Sequence, residues 1–248
     1  IRIKTIAGDT TLDTEAGDDQ ITLGNDSNSL AGLQANLDIN GNADTTGDSL
    51  TALAQGTGSL TPTEIQGFGL NAANTLSYSN IEDLTVELHG ATNDLTINDT
   101  HTGTVTVTGS ANADTVTVNE ANASDLTINT GLASDTVTIN DNHATTTTID
   151  TDAGVDDINI VNNDSATTIN AGSEADSIDV NATNESIVIN GEAGDDAVVI
   201  ANAGLLDDIN AAVTFNGGLG LDTLTLDQSS STVDQVVVTT NATTTVNT

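Results

Sequence analysis

Residues 104–200 read TVTVTGSANADTVTVNEANASDLTINTGLASDTVTINDNHATTTTIDTDAGVDDINIVNNDSATTINAGSEADSIDVNATNESIVINGEAGDDAVVI. Aliphatic residues alternate with polar ones in short runs (TVTV, TVTV, DLTI, TVTI, TTI, DINI, TTI, SIDV, IVI, AVVI), and each run ends in a turn rich in Gly, Asn and Asp. Alternation of this kind marks strands with one buried face. An aspartate stands just before every second strand, at Asp114, Asp135, Asp156, Asp176 and Asp196, in steps of 21, 21, 20 and 20 residues. A repeat this short cannot bury its own apolar face, so copies must stack. The stretch predicts an all-β fold, a parallel β-solenoid (β-helix or β-roll) with about 20-residue coils.

Side chains of a strand alternate between its two faces. Val105, Val107, Val116, Val118, Leu126, Ile128, Val137 and Ile139 are expected inside, four aliphatics to a coil. Outside, one sheet should carry the column Thr106, Thr127, Thr148, Thr168, Val188, and the other Thr117, Thr138, Asn159, Asp179, Val199. Composition agrees with a thin core: two Phe, one Tyr, and no Trp, Met or Cys. Disorder is the competing reading of an acidic chain rich in Ser, Thr and Asn, but a disordered chain has no reason to keep the alternation.

Without cysteine, neither disulfides nor thiolate metal sites hold the fold. No apolar run approaches the roughly 18 residues of a membrane span, and Ile1 opens no signal peptide, so an export signal is expected outside this segment. The 248 residues carry a net charge of −35. At about 20.5 residues and ~4.8 Å per coil they make ~12 coils and a rod of ~58 Å. That is one negative charge per ~1.7 Å, near the linear density of duplex DNA. Nucleic acid is excluded as a partner, and calcium-rich or salty surroundings are expected.

Three stretches follow along the chain. Residues 1–52 read as solenoid coils, 53–88 as an irregular enlarged coil or loop insertion, and 89–248 as coils continuing the same rod. The middle stretch holds the only proline, Pro62, and Phe68 and Tyr78, which are expected to fill extra core volume. The word EAGDD occurs at 15–19 and again at 192–196, with Gly17 and Gly194 177 residues apart. Leu33, Leu37, Ile39, Asn40 and Gly41 match Ile209, Val213, Phe215, Asn216 and Gly217 at an offset of 176, and Asp48 matches Asp222 at 174. In both copies a short helical turn is expected, within 29–36 and 204–212. Neither IRIKTIAG nor VVVTTNATTTVNT reads as a polar cap, so the segment is expected to continue covalently or to self-associate into a long fibre. Val188, Ala197 and Val199 are expected to form a small outward apolar patch.

Residues 217–225, GGLGLDTLT, match the nonapeptide GGxGxDxUx, with U a large aliphatic residue. Partial matches are Gly191, Gly194, Asp196 and Val198; Gly17, Asp19 and Ile21; and Gly154, Asp156 and Ile158. Asp114, Asp135 and Asp176 lie in weaker versions of the turn. On Gly217, Gly218, Gly220, Asp222 and Leu224 the chain resembles the calcium-binding β-rolls of the RTX (repeats-in-toxin) family. The resemblance implies Ca2+ held between successive turns by the motif aspartate and turn carbonyls, which gives Asp19, Gly17, Asp156, Gly154, Asp196, Gly194, Asp222, Gly217, Gly218 and Gly220 as candidate metal-site residues. RTX rolls use about 18 residues per coil with the motif on both sides, whereas these coils have 20 or 21 and are expected to carry it on one side. More broadly, YSNIEDLTVEL at 78–88 and NGGLGLDTLTLDQS at 216–229 are similar in style to modules of very large secreted or surface proteins of aquatic bacteria.

Other chemistry is thin. His89, His101 and His143 have no zinc-ligand spacing and read as turn residues. Asn98, Asn122, Asn163, Asn181, Asn184 and Asn241 begin N-x-S/T triplets, which chance produces in such a composition. Parallel β-helices often degrade polysaccharides, but two basic side chains, Arg2 and Lys4, leave little to neutralise an acidic sugar or an oxyanion, so a polysaccharide-degrading β-helix enzyme ranks last among the readings and no enzyme is expected. The expected function is structural, in an extracellular calcium-stabilised module of a giant adhesin, surface layer or matrix filament. The alternative is an ice- or carbohydrate-binding solenoid using the outward threonines, and any glycan or surface ligand is unspecified.

Overall fold

The computed structural model describes residues 1–42, 47–201 and 206–230 and the backbone of the strand Thr243–Asn247. Asn241 and the stretch 236–242 lie outside the described residues, as do the first two positions of 204–212. Two sheets contain every strand of the described residues. Sheet 1 stacks β1 (Arg2–Ile3), β3 (Gln20–Leu23), β5 (Ser49–Ala54), β9 (Asp83–Leu88), β11 (Thr104–Ser110), β13 (Asp125–Gly131), β15 (Thr146–Asp150), β17 (Ala166–Asn170), β19 (Ile187–Asn190) and β21 (Val213–Asn216) in that order. Sheet 2 stacks β2 (Thr10–Asp13), β4 (Leu37–Asn40), β8 (Leu76–Ser79), β7 (Glu64–Gly67), β6 (Thr57–Leu60), β10 (Asn93–Ile97), β12 (Asp114–Val118), β14 (Thr136–Ile139), β16 (Asp157–Ile160), β18 (Ser177–Val180), β20 (Ala197–Ile200), β22 (Thr223–Asp227) and β23 (Thr243–Asn247). The chain alternates between the sheets and pairs with itself one coil on, in parallel, which is the expected β-solenoid.

Register follows the apolar pattern, since a one-residue slip would turn every inward side chain outward. Val107, Ile128, Ile149, Ile169, Ile189 and Phe215 stack in one inward column. The neighbouring column runs Val105, Leu126, Thr147, Thr167, Ile187, so a buried threonine replaces the fourth aliphatic in two coils. The outward threonine column is longer than the sequence stretch suggested: Thr22, Thr51, Thr85, Thr106, Thr127, Thr148, Thr168, Val188 and Thr214 are paired in succession. Val188 lies on sheet 1, whereas Ala197 and Val199 lie on sheet 2, so these three form no common patch.

The stretch 53–88 is only partly irregular. Residues 49–54 and 83–88 pair in parallel as ordinary neighbours in sheet 1. In sheet 2, β6 and β7 form an antiparallel hairpin, and β7 also runs antiparallel to β8. Phe68 and Tyr78 are buried there, with Phe68 lying over the face of Gly58 and the Tyr78 hydroxyl donating to the Thr61 carbonyl at 2.6 Å. The two short helical turns are 3-10 turns, Leu30–Gly32, capped by the Ser29 side chain, and Leu206–Asp208.

The two copies of the super-repeat occupy opposite sheets. β2, β3 and β4 match β19, β20 and β21, yet β2 and β4 belong to sheet 2 while β19 and β21 belong to sheet 1. The EAGDD corner at 15–19 therefore leads from sheet 2 to sheet 1, and its twin at 192–196 leads from sheet 1 to sheet 2. These are opposite edges of the rod.

Candidate metal centre: a column of buried carboxylates

Every coil from β11 to β22 turns from sheet 1 to sheet 2 through a corner that holds the repeated aspartate, and the β9–β10 corner has Asn93 in its place. Local backbone accounts for the motif. Four residues before the aspartate the backbone is left-handed at Glu15, Gly131, Asp152, Gly172, Glu192 and Gly218, and two residues before it φ is again positive, at Gly17, Ala133, Glu174 and Gly220 among others. Glycine populates these conformations at no steric cost, which explains the second and third glycines of GGxGxD. The first glycine has a different cause. The Asp196 and Asp222 side chains fold back over Gly191 and Gly217, and a Cβ at either would collide with the Asp Oδ2.

Each aspartate thus points into the corner. Asp114, Asp135, Asp156, Asp176 and Asp196 are 1–3% exposed and Asp222 is 7% exposed. Oδ1 of each accepts the backbone N–H of the equivalent residue one coil back. Asn93 donates to Asp114 at 3.1 Å, Asp114 to Asp135 at 2.7 Å, Asp135 to Asp156 at 2.7 Å, Asp156 to Asp176 at 2.8 Å, Asp176 to Asp196 at 3.0 Å and Asp196 to Asp222 at 3.1 Å. Seven side chains form one continuous column. The earlier copy repeats the design on the opposite edge, where the Asp19 N–H donates to Asp48 Oδ1 at 2.8 Å and the Asp48 N–H donates to Glu82 Oε2 at 2.9 Å. The motif accordingly lies on one edge through Asp19, Asp48 and Glu82 and on the other from Asn93 to Asp222, which corrects the one-sided expectation.

The other carboxylate oxygen divides the column. At Asp114, Oδ2 accepts the Ser110 N–H at 2.8 Å, so that side chain is fully engaged. At Asp48, Asp135, Asp156, Asp176 and Asp196, Oδ2 is buried without a hydrogen-bond partner. Burial pushes Asp135 up to about 6 and Asp176 up to about 7, against the lowering effect of the N–H each accepts, and it raises Asp156 and Asp196 in the same way; the Thr130 hydroxyl near Asp135 and the Thr151 hydroxyl near Asp156 also lower theirs. Carboxylates one coil apart add to this: unit charges ~4.8 Å apart repel by about 3 kcal/mol at an effective dielectric of ~20. The two basic side chains are remote in sequence and engaged elsewhere, Lys4 with Asp26 at 2.5 Å and Arg2 with the Asn25 carbonyl.

These residues fit a calcium ion in part. Calcium takes six to eight oxygens, and each orphaned Oδ2 is an unclaimed anionic ligand. The turn carbonyls of Asp152, Gly172 and Glu192 each accept one N–H from the next coil, which leaves a second lone pair. Among the described residues no three His, Cys, Asp or Glu side chains converge on one point, so carbonyls and water would complete the shell. Of the candidate aspartates, Asp156 and Asp196 present an orphaned oxygen, Asp222 ends the described column, and Asp19 is only half-buried. The glycines at 17, 154, 194, 217, 218 and 220 serve backbone shape and clearance. Asp48, Asp135 and Asp176 belong with the best candidates although their turns keep only part of the glycine set, Gly41, Gly131 and Gly172; their 20- and 21-residue spacing carried the signal for the last two.

At the opposite edge of the same coils the buried side chains are uncharged. Asn142 Nδ2 donates to Asn163 Oδ1 at 2.9 Å and to Thr147 Oγ1 at 3.0 Å; Asn163 Nδ2 donates to the Ser165 carbonyl at 2.7 Å and to Thr183 Oγ1 at 3.2 Å; and Thr167 Oγ1 donates to Asn163 Oδ1 at 2.9 Å. Asn163 is fully buried and is no glycan acceptor in the folded chain. His101 stacks edge-on against Tyr78, and burial lowers its pKa; both ring nitrogens of His143 face carboxylates, Asp141 at 3.2 Å and Asp164 at 3.0 Å. Among the described residues no helix is long and apolar enough to cross a membrane. No family model, no curated protein and no solved structure matches the chain.

Proposed function

We propose that this chain is a non-enzymatic, calcium-stabilised structural module, a β-solenoid segment of an extracellular adhesin, surface layer or matrix filament. One observation carries the reading: four consecutive coils, at Asp135, Asp156, Asp176 and Asp196, each bury a carboxylate oxygen that accepts no hydrogen bond of normal geometry, with only the Thr130 and Thr151 hydroxyls near the first two. With hardly a basic residue in the chain, external cations are the natural counter-charge. Extracellular calcium sites commonly bind at about 10⁻⁴–10⁻³ M, so the module would be loose in a calcium-poor cytosol and firm outside the cell. Stacked modules, joined covalently or by self-association, would make a fibre, for which the super-repeat is the support.

The test is calorimetric. Calcium titrated into the chelated protein at constant ionic strength should bind at several sites and raise the melting temperature, with magnesium much weaker. Unchanged melting and no heat of binding would remove calcium from the reading. A second reading, binding of ice or carbohydrate on sheet 1, is favoured by the threonine column from Thr22 to Thr214, interrupted only at Val188. Ice-recrystallisation and glycan-array assays separate it from the structural one.

A further inference from the structure

We propose that the β6–β7 hairpin is a wedge that bends the rod. Between β3 and β9, sheet 1 holds a single strand, β5; between their coil partners β4 and β10, sheet 2 holds three, β8, β7 and β6. All these neighbours are hydrogen-bonded in register. Sheet 2 is therefore longer than sheet 1 by two strand spacings, ~9.6 Å, over this span. With sheets ~10 Å apart, taking up the difference as tilt turns the rod by about 45° toward sheet 1.

The wedge is packed as a solid piece. Leu60, Ile65, Phe68, Leu76 and Tyr78 are all buried, and Gly58, the inward residue of β6, clears the space that the Phe68 ring fills. Phe68 adopts a left-handed backbone with φ 52°, flanked by Gly67 and Gly69, also at positive φ. The bend is fixed by packing and does not act as a hinge.

The hairpin is also separable, because inside–outside parity is the same on both sides of it. β10 pairs Leu95 with Gly58 and Ile97 with Leu60, while β4 pairs Leu37 with Leu76 and Ile39 with Tyr78. Deleting residues 57–74 joins Gly56 to Thr75 and lets Thr75–Ser79 take the place of Thr57–Thr61 beside β10, inward residue for inward residue. Tyr78→Leu accompanies the deletion because the Tyr78 hydroxyl loses its Thr61 acceptor.

The experiment is small-angle scattering of three proteins: the parent, this deletion, and a control lacking residues 115–135, one regular coil whose removal joins Asp114 to Thr136. The hairpin deletion should fold with strand-type circular dichroism and scatter as a straight rod, whereas the parent scatters as a rod with an elbow about two coils from one end. The control should shorten the parent by ~4.8 Å and keep the elbow. Parent scattering that a straight rod fits as well as it fits that of the hairpin deletion overturns the wedge. So does a hairpin deletion that fails to fold while the control folds, since the hairpin would then be a keystone of the fold and not a spacer.

Discussion

The two edges of the coils between β10 and β21 solve the same problem differently. At one, Asn142, Asn163 and Thr183 close the corner with amides and hydroxyls that satisfy one another. At the other, aspartates spend one oxygen on the neighbouring coil and leave the second unpaired. An amide there could also accept the N–H, and it would carry no charge. The fold therefore does not require aspartate at that edge, and the orphaned oxygens point to something that binds there.

That contrast can be broken first at the amide edge. Asn163→Ala removes one hydrogen bond each from Asn142, Thr167 and Thr183 at once, and each such bond is worth about 0.5–1.5 kcal/mol. The loss, read from urea melts, should be the same with calcium or with chelator; a calcium-dependent loss would mean that the edges are not independent. At the carboxylate edge, Asp156→Ala strands the Asp135 N–H and should cost about 1–3 kcal/mol in chelator. Asp156→Asn keeps that acceptor and deletes the charge, so in chelator it should melt above the parent and should gain less from added calcium. An asparagine variant that melts lower in chelator would argue against uncompensated charge.

The pH dependence sharpens the same point. Asp135 at about 6 and Asp176 at about 7 hold protons that the unfolded chain releases near the ordinary carboxylate value. In chelator, stability should rise as pH falls from above 7 toward 4, because the folded state takes up protons first, and should level off below that as the unfolded chain protonates too. In saturating calcium, protons and cation compete and the slope should shrink or reverse. The smallest expected effect is at Ala133, held at φ 82° where the motif has glycine; Ala133→Gly should stabilise by up to about 1 kcal/mol, read as a shift in urea midpoint.

Much of this was legible in the residues. The Asp114 to Asp196 spacing announced the coil, and the alternation at 104–139 assigned inward and outward faces. The hairpin was not legible, because TGSL has an inward glycine whose meaning depends on Phe68, ten residues on. Nor was the exchange of edges between EAGDD copies, which depends on the odd number of strands between them. Thr147 and Thr167 stand where four aliphatics to a coil were expected, and only the contacts to Asn142, Ser165 and Asn163 explain their burial. Sequence showed which side chain stands at each corner; the inward fold of the aspartate over residues such as Gly191 is a three-dimensional fact.

Because the strands lie across the rod, the hydrogen bonds between coils run along it. A pull on the two ends loads those bonds head-on, a few at a time, instead of shearing a whole sheet at once. A released coil of about 20 residues goes from ~4.8 Å of rod to ~70 Å of extended chain. Each coil that opens thus supplies roughly fifteen times its folded length, so tension is relieved by lengthening at one coil before the next must yield.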